Sequence, residues 1–174
     1  MSFKVFFSAA LLFGLPWQAW SQEQSPDPQR DREVEKLTGA HTRVAWQRDV
    51  VEGKRVDGYG EQFVLMGYDS RDGRGVRTIL GETGSYMRPL ITPDGQRIVF
   101  TDTSSGKICV VNWDGSERRE VANGVAGALW RDPETGEIWV YGKAQRFGEG
   151  FNEAPLVRFR LDRPRESETI WTRT

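Results

Sequence analysis

The sequence predicts an all-β chain built from about three successive sheets of four short antiparallel strands each. Two observations carry this prediction. From Thr42 onward, short apolar runs are separated by turns rich in Gly, Asp and Pro, which is typical of strands joined by tight turns. In addition, the aspartates that end corresponding runs, Asp69, Asp114 and Asp162, follow one another at intervals of 45 and 48 residues. Repetition at that period indicates an array of similar sheets.

Composition excludes several classes of protein. The 174 residues include 24 Lys and Arg against 25 Asp and Glu. No nucleic-acid partner is therefore expected, because nucleic-acid binding requires clustered positive charge. The 37% hydrophobic content with 7 Trp excludes a disordered chain. A single Cys and a single His exclude a disulfide framework and provide too few ligands for the usual cysteine and histidine metal sites. We expect no metal and no cofactor.

Residues 1–21 match a secretory signal peptide. Lys4 supplies positive charge, Val5 to Leu15 is an apolar run, and Ala19-Trp20-Ser21 has the small-x-small pattern of a cleavage site. The apolar run is shorter than the roughly 20 residues of a membrane-spanning helix, although an uncleaved membrane anchor is the alternative. We therefore expect a periplasmic or secreted protein with no stable membrane span after cleavage.

Residues 22–41 are expected to form a polar leader before the first strand. Residues 22–30 are rich in Gln, Ser, Pro and charged side chains, a composition typical of an extended segment. The pattern from Asp31 to Leu37 permits one or two helical turns that end at Gly39. No other helix of convincing length is expected.

The clearest repeat unit lies in the middle of the chain. Leu90 to Thr101 contains two strands joined by the tight turn Pro93-Asp94-Gly95. A third strand follows at Lys107 to Trp113, and a fourth, at Glu117 to Val121, comes after the Asp114-Gly115 turn. Four short antiparallel strands in about 40 residues are the unit of a β-propeller blade.

The flanking stretches fill the same positions in the unit. One position is filled by Val44 to Trp46, Ile98 to Phe100 and Ile138 to Val140. The next position is filled by Val64 to Tyr68, Ile108 to Val111 and Val157 to Leu161. The candidate fourth strands are Val76 to Leu80, Glu117 to Val121 and Glu168 to Trp171. The sequence thus predicts a partial β-propeller with blades at about residues 43–80, 86–122 and 126–172. A β-sandwich is the alternative, but sandwiches do not repeat in sequence.

Apolar patterning indicates which sheet faces are buried. The continuous apolar runs of the middle unit predict strands that are buried on both faces. Arg158 and Arg160 instead alternate with apolar residues, which predicts an outer strand or a blade with one exposed face. Four tryptophans in or beside strands are expected in the core: Trp46, Trp113, Trp130 and Trp139.

Three stretches of the middle unit, Thr92 to Gly95, Arg97 to Phe100 and Lys107 to Gly115, resemble the TolB-like, WD-like propeller repeat of exported bacterial proteins. Thr92 stands where that family usually has Ser, and Leu90 stands where it usually has an aromatic residue. The resemblance implies a propeller fold and an exported protein. Because members of the family bind proteins, glycans or peptides, or flank catalytic domains, the resemblance implies no single function.

The repeats are too few for a closed ring. Rings of 4 to 8 blades with about 40 to 45 residues each require at least roughly 160 to 180 residues, whereas the repeats here occupy residues 42–172. The first repeat also lacks its innermost strand. We therefore expect a truncated propeller, which is either a fragment of a longer protein or a chain that self-associates through its open blade edges.

Two long loops are the candidate binding region. Arg48 to Gln62 and Lys143 to Ala154 connect equivalent strands and are expected on one face of the propeller, where loops on a rigid scaffold carry binding residues. The candidate binding residues are Tyr59, Arg146, Phe147, Phe151 and Asn152. The alternative is that these loops cover a blade edge.

No catalytic motif is present. The sequence has no G-x-S-x-G and no phosphate-binding loop, His41 is expected to be a surface or packing residue, and Asp69 to Gly75 predicts a turn rather than a calcium loop. The sequence favours an exported, noncatalytic interaction module for a protein or glycan partner. The alternative is the propeller part of a secreted hydrolase or lyase, whose catalytic portion is missing or lies on the propeller face.

Overall fold

The computed structural model describes residues 25–51, 59–144 and 153–172. Within these ranges the chain forms one helix, α1 (Pro28–Thr38), and eleven strands. The strands are β1 (Arg43–Asp49), β2 (Phe63–Asp69), β3 (Val76–Gly84), β4 (Met87–Ile91), β5 (Arg97–Asp102), β6 (Lys107–Asn112), β7 (Arg119–Asn123), β8 (Val125–Arg131), β9 (Ile138–Lys143), β10 (Leu156–Arg160) and β11 (Arg163–Trp171). The predicted signal peptide, residues 1–21, lies outside the described residues.

The strands form three antiparallel sheets that follow one another along the chain. The first sheet has the order β1-β2-β3, the second β4-β5-β6-β7 and the third β8-β9-β10-β11. Strand β1 lies against β4, β8 lies against β4 and β5, and the outer strands β7 and β11 also meet. The sheets therefore stand side by side as the blades of a partial β-propeller, which confirms the predicted fold. As predicted, the first sheet lacks the innermost strand within the described residues.

Two apolar clusters hold the three sheets together, and the second sheet contributes to both. On β5, Ile98 and Phe100 belong to the cluster shared with the first sheet, whereas Val99 belongs to the cluster shared with the third. All three side chains are fully buried. On β6, Val111 and Val110 divide in the same way. Successive side chains of a strand point to opposite faces, so the continuous apolar runs fill two cores, as expected from the sequence.

Helix α1 is longer than the sequence pattern predicts. The side chain of Asp27 accepts hydrogen bonds from the backbone N–H groups of Gln29 and Arg30, at 3.0 and 3.2 Å, and so caps the helix. The helix begins at Pro28, three residues before the expected start, because a proline is accepted at the first helical position. It ends at Gly39, as predicted, where the backbone turns left-handed with φ 73°.

Two strands begin at positions other than those expected. Strand β7 begins at Arg119 rather than Glu117, because Glu117 has a φ of 54° after the preceding turn and does not fit a strand. Strand β11 begins at Arg163 rather than Glu168 and includes Pro164. Its outer position in the sheet explains this, since proline is tolerated in edge strands.

The tryptophans do not all lie in the core. Trp113 and Trp139 are 7% and 5% exposed, Trp46 is half-buried, and Trp130 is 45% exposed. The prediction for Trp130 is therefore wrong. Trp130 lies opposite Trp139 on β8 and β9, on the face of the third sheet directed away from the second. Among the described residues, no further sheet covers this face.

Candidate interaction surfaces

The connections between strands emerge on two opposite sides of the array. We call one the loop side: it carries the β1–β2, β5–β6 and β9–β10 connections and the links between sheets. We call the other the turn side: it carries the remaining strand connections. Contacts across sheets follow this division, since Ser85 and Thr103 bond on the loop side while Arg97 and Asp162 bond on the turn side. The strand order therefore places both predicted binding loops on the loop side.

The first long loop leaves the array through a hydrogen-bonded neck. The N–H of Val50 donates to the carbonyl of Gln62 at 3.0 Å. Asp49 accepts from the N–H of Val51 at 2.7 Å and from the side-chain amide of Gln62 at 3.0 Å. Tyr59 is half-buried in this loop, and residues 52–58 lie outside the described ranges. The neck fixes where the loop begins and ends.

The second long loop has a similar base. The N–H of Ala144 donates to the carbonyl of Pro155 at 3.2 Å, and Ala154 beside it is 2% exposed. The predicted binding residues of this loop lie outside the described residues: Arg146, Phe147, Phe151 and Asn152. The structure thus describes the two ends of the loop, and the binding role of these residues stays a prediction.

The short β5–β6 loop of the second sheet lies between the bases of the two long loops. The hydroxyl groups of Ser85 and Thr103 bond at 2.7 Å, which ties the link between the first two sheets to this loop. Asp102 accepts hydrogen bonds from Ser104 and Ser105. Burial alone would raise the pKa of the Asp102 carboxyl, but these hydrogen bonds outweigh it and hold the pKa below its usual value. The charged carboxylate therefore keeps the turn closed.

Two contacts join the second and third sheets at the same level. The N–H of Gly124, between β7 and β8, donates to the carbonyl of Gly106 at 2.9 Å. The N–H of Ala126 donates to the hydroxyl of Thr101 at 3.0 Å. Gly124 has a φ of 120° and lies directly against the backbone of Lys143, so a side chain at this position would collide with the base of the second long loop. These contacts join the second and third sheets on the loop side.

On the turn side, buried Asp69 gathers three donors. Its carboxylate lies 2.6 Å from Nε2 of His41, accepts from Nε of Arg43 at 2.5 Å, and accepts from the N–H of Arg71 at 2.8 Å. Burial raises the pKa of Asp69, but the three hydrogen bonds outweigh burial and lower the pKa below its usual value. Arg43 also donates to the carbonyl of Gly95 in the second sheet. His41 therefore takes part in the hydrogen-bonded joint around Asp69.

The other repeated aspartates also hold the turn side together. Asp162 of the third sheet accepts from Arg97 of the second at 2.5 Å, with Arg119 at 3.4 Å, and Arg97 holds the pKa of this carboxyl below its usual value. Asp114 accepts from the hydroxyl and the N–H of Ser116. These carboxylates are engaged by cations or turn hydrogen bonds, so they lock turns and neighbouring sheets.

The Asp69 to Gly75 segment forms a strand-connecting turn between β2 and β3. Asp72 pairs with Arg77, and Asp69 pairs with Arg43. Both carboxylates that a calcium ion would need are therefore bound by arginines, which agrees with the turn expected from the sequence. Within the described ranges, no three His, Cys, Asp or Glu side chains gather as ligands for a metal ion.

The uncovered face of the third sheet carries a stacked cluster that the sequence indicated only in part. The guanidinium groups of Arg158 and Arg160 lie over the ring of Trp139, at 4.7 and 4.5 Å from its centroid. Glu168 accepts from Arg158 at 2.8 Å, and Glu137 accepts from Arg160 at 2.7 Å. The alternating arginines had predicted an outer strand or a blade with one exposed face. Strand β10 lies between β9 and β11, so the first alternative is wrong, and the arginines lie on the face directed away from the second sheet. The acidic partners were not predicted.

The inner edge of the first sheet is the second feature that sequence reasoning identified only in part. Strand β1 pairs with β2 and with no other strand of the described residues. Near this edge, Arg88 of β4 is exposed and has a left-handed backbone with φ 51° directly before Pro89. This conformation is unfavourable both for a residue with a side chain and for a residue that precedes proline. No repeat pattern in the sequence identifies Arg88.

Known structures share this fold at low sequence identity. TolB from Acinetobacter baumannii matches with a TM-score of 0.52 and 19% identity over 81% of this chain and 34% of the TolB chain. A chain in the crystal structure of a nidogen/laminin complex matches with a TM-score of 0.47 and 17% identity, covering 63% of this chain and 40% of that chain. The likeness to TolB supports the fold and, at this identity, the fold alone.

Sequence comparisons give no family assignment: no protein-family model and no curated protein matches the chain. The chain spans about 34% and 40% of the length of the two structures it resembles. In the part of the chain that the structure describes, no helix has both the length and the apolar character needed to cross a bilayer.

Proposed function

We propose that this protein is an exported, noncatalytic β-propeller interaction module that binds a protein partner through the long loops of its loop side. The binding residues in this proposal are those expected from the sequence: Tyr59, Arg146, Phe147, Phe151 and Asn152. Export in this proposal rests on the signal-peptide pattern of residues 1–21.

The observation that supports this function is the placement of the two long loops. Both leave from hydrogen-bonded bases, at Val50–Gln62 and Ala144–Pro155, on the same side of one array. The β5–β6 loop between these bases is held by the hydrogen bond between Ser85 and Thr103. Binding residues are commonly carried on loops that a rigid scaffold positions, and this arrangement supplies the scaffold. Aromatic side chains flanked by Gly give the loops large contact areas, which are typical of binding hot spots.

Capture with matched variants tests the proposal. The protein is immobilised and exposed to envelope and secreted extracts as wild type, as the loop variant Tyr59→Ser, Phe147→Ser, Phe151→Ser, and as the turn-side control Arg131→Ser, Glu134→Ser. Both control positions are exposed on the turn side. We expect one protein to be retained by the wild type and by the control, with at least about a tenfold loss for the loop variant, since interface hot spots contribute about 2 kcal/mol or more.

Two outcomes would contradict the proposal. Equal retention of the partner by all three proteins would show that the loops do not bind it. Retention of a glycan on an array, lost in the same loop variant and without any retained protein, would replace the protein partner with a carbohydrate. Export is tested separately: the amino-terminal sequence of the protein recovered outside the cytoplasm should begin near Gln22.

A further inference from the structure

The first sheet has an open strand edge on its inner side. In the second and third sheets, the inner strands β4 and β8 pair with β5 and β9. Strand β1 is the equivalent of β5 and β9, yet among the described residues it pairs with β2 alone. Its other edge presents backbone N–H and C=O groups that have no strand partner within those residues. Such an edge is a template for the addition of another strand.

The surroundings of this edge define what a docked strand would contact. We call the place beside β1 that an innermost strand would fill the vacant position. A strand in the vacant position would lie beside β4, as β4 lies beside β8. Ala45 and Ile91, both half-buried, border the first apolar cluster, whereas Val44 on the opposite face of β1 is 44% exposed. Because strand side chains alternate between faces, a docked strand would bury apolar surface on both sides.

Charge distinguishes the two ends of the vacant position. Arg48 of β1 and Arg88 of β4 both lie toward the loop side, and within the described ranges neither makes an ion pair or a side-chain hydrogen bond. The nearby carboxylate of Asp49 is occupied by Val51 and Gln62. Among the described residues, the two arginines at the loop-side end of the vacant position therefore have no paired carboxylate, which favours an acidic occupant.

We propose that the open edge of β1 binds an extended segment of a partner protein that begins with acidic residues and continues with apolar residues at alternate positions. Strands β4 and β8 run antiparallel to their neighbours and begin on the loop side. A docked strand in the same orientation places its first residues beside Arg48 and Arg88. Backbone hydrogen bonds provide the affinity, and the two arginines set its direction. Arg48, which the structure places at the end of β1, is the only residue that this proposal shares with the long loops expected from the sequence.

Synthetic peptides test the proposal on the purified protein. The probe has eight residues and blocked ends, with two Glu followed by alternating Val and Thr. Its control has the same composition with both Glu at the carboxyl end. We expect the control to bind at least about threefold more weakly, the effect of an exposed ion pair. On binding of the probe, hydrogen exchange should slow at the amides of β1 that face the vacant position.

N-methylation of the probe separates strand addition from ordinary charge attraction. Two versions are made, each methylated at alternate amides but in opposite registers. Because a docked strand pairs with β1 through one of its edges, one version should lose binding and the other should retain it. Equal binding of both versions, or no slowing of exchange in β1, would overturn the proposal.

Charge-reversal variants test the two arginines. Arg88→Glu should weaken the acidic probe at least about threefold and strengthen a probe in which both Glu are replaced by Lys. Arg48→Glu should act in the same way and serves if Arg88→Glu does not fold. Arg74→Glu is the control, since Arg74 is exposed in the β2–β3 turn, away from the edge. Unchanged preference in both variants would overturn the proposal. So would a dimer with protected β1 amides in the absence of peptide, because a second copy would then fill the position.

Discussion

Individual side chains fix the joints between sheets, and Asp69 is one of them. Asp69 is 1% exposed, and its carboxylate contacts His41 before the first strand, Arg43 of the first sheet and the N–H of Arg71 in the following turn. Arg43 extends the joint to Gly95 in the second sheet. Removing this carboxylate would leave an arginine and a histidine without their partner, which costs more than one ordinary hydrogen bond.

We expect Asp69→Ala to lower the free energy of unfolding at pH 7 by about 2 to 3 kcal/mol, because a half-buried cation loses its charge partner. Glu61→Gln, an exposed carboxylate in a loop, is the control and should change the free energy by less than about 0.5 kcal/mol. Urea denaturation measures both. Equal stability of Asp69→Ala and the control would contradict the role of the joint.

The same residue should make stability depend on pH in the acid range. Folding lowers the pKa of Asp69 below its ordinary value of 3.8, so the folded state binds its proton less readily than the unfolded chain. The stabilisation is therefore fully present above about pH 5 and is lost as the pH falls through the lower, folded-state pKa. Denaturation between pH 2 and 6 should show a shallower acid loss in Asp69→Asn than in the wild type.

Gly67 in β2 lies so close to buried side chains that an added methyl group would force them to shift. An added Cβ would lie 2.8 Å from Cδ1 and 2.9 Å from Cγ1 of buried Ile79, and 3.2 Å from Cη2 of Trp113. We expect Gly67→Ala to lower the free energy of unfolding by about 1 to 3 kcal/mol through overpacking. Gly81→Ala in β3 of the same sheet is the control, because its nearest neighbour would be at 3.6 Å. Thermal denaturation compares them, and equal midpoints would contradict this packing.

Sequence patterns predict many of the residues that matter at this scale, but not their partners. The repeated aspartates are visible as a spacing, whereas the pairing of Asp162 with Arg97 joins residues 65 positions apart. Arg88 belongs to no repeat pattern, and its left-handed backbone follows from the bulge between β4 and β5. Charge pairs between sheets depend on how the sheets are stacked, which a single strand pattern does not encode.

At the scale of elements, the second sheet shows most clearly how the sheets pack. Its strands β5 and β6 have apolar side chains on both faces, and each face belongs to a different cluster. The sequence predicted this because its apolar runs are continuous. The strand ends were harder to predict, since Glu117 and Pro164 follow local turn and edge requirements. Residue type alone does not distinguish an edge strand from a central one.

Val110 and Val111 test the two-sided burial directly. Val110 packs in the cluster shared with the third sheet and Val111 in the cluster shared with the first. We expect Val110→Ala and Val111→Ala each to lower the free energy of unfolding by about 2 kcal/mol, the cost of lost burial. Val44→Ala is the exposed control and should cost less than about 0.5 kcal/mol. A large effect at only one of the two core positions would indicate a sheet with one solvent-exposed face.

At the scale of the whole molecule, the first and third sheets differ in what the described residues leave uncovered. At the first sheet, β1 has an open inner edge. At the third sheet, Arg158 and Arg160 cover Trp139 and are paired with acidic side chains. Trp130, opposite Trp139 on the same face, is 45% exposed. The repeat period predicted the number of sheets, whereas the arginine alternation left open an outer strand or a blade with one exposed face. The acidic partners of these arginines and the positive charge at the open edge of β1 could be recognised only from the structure.

Nuclear Overhauser contacts between methyl groups test the side-by-side order of the three sheets most directly. With Ile, Leu and Val methyls labelled, contacts should join Ile98 or Val111 to Leu65 and Ile79 of the first sheet, and Val99 or Val110 to Val140 of the third. Leu65 and Val140 should show no contact, because the second sheet lies between them. A contact between these two residues, as in two facing layers, would contradict the propeller arrangement.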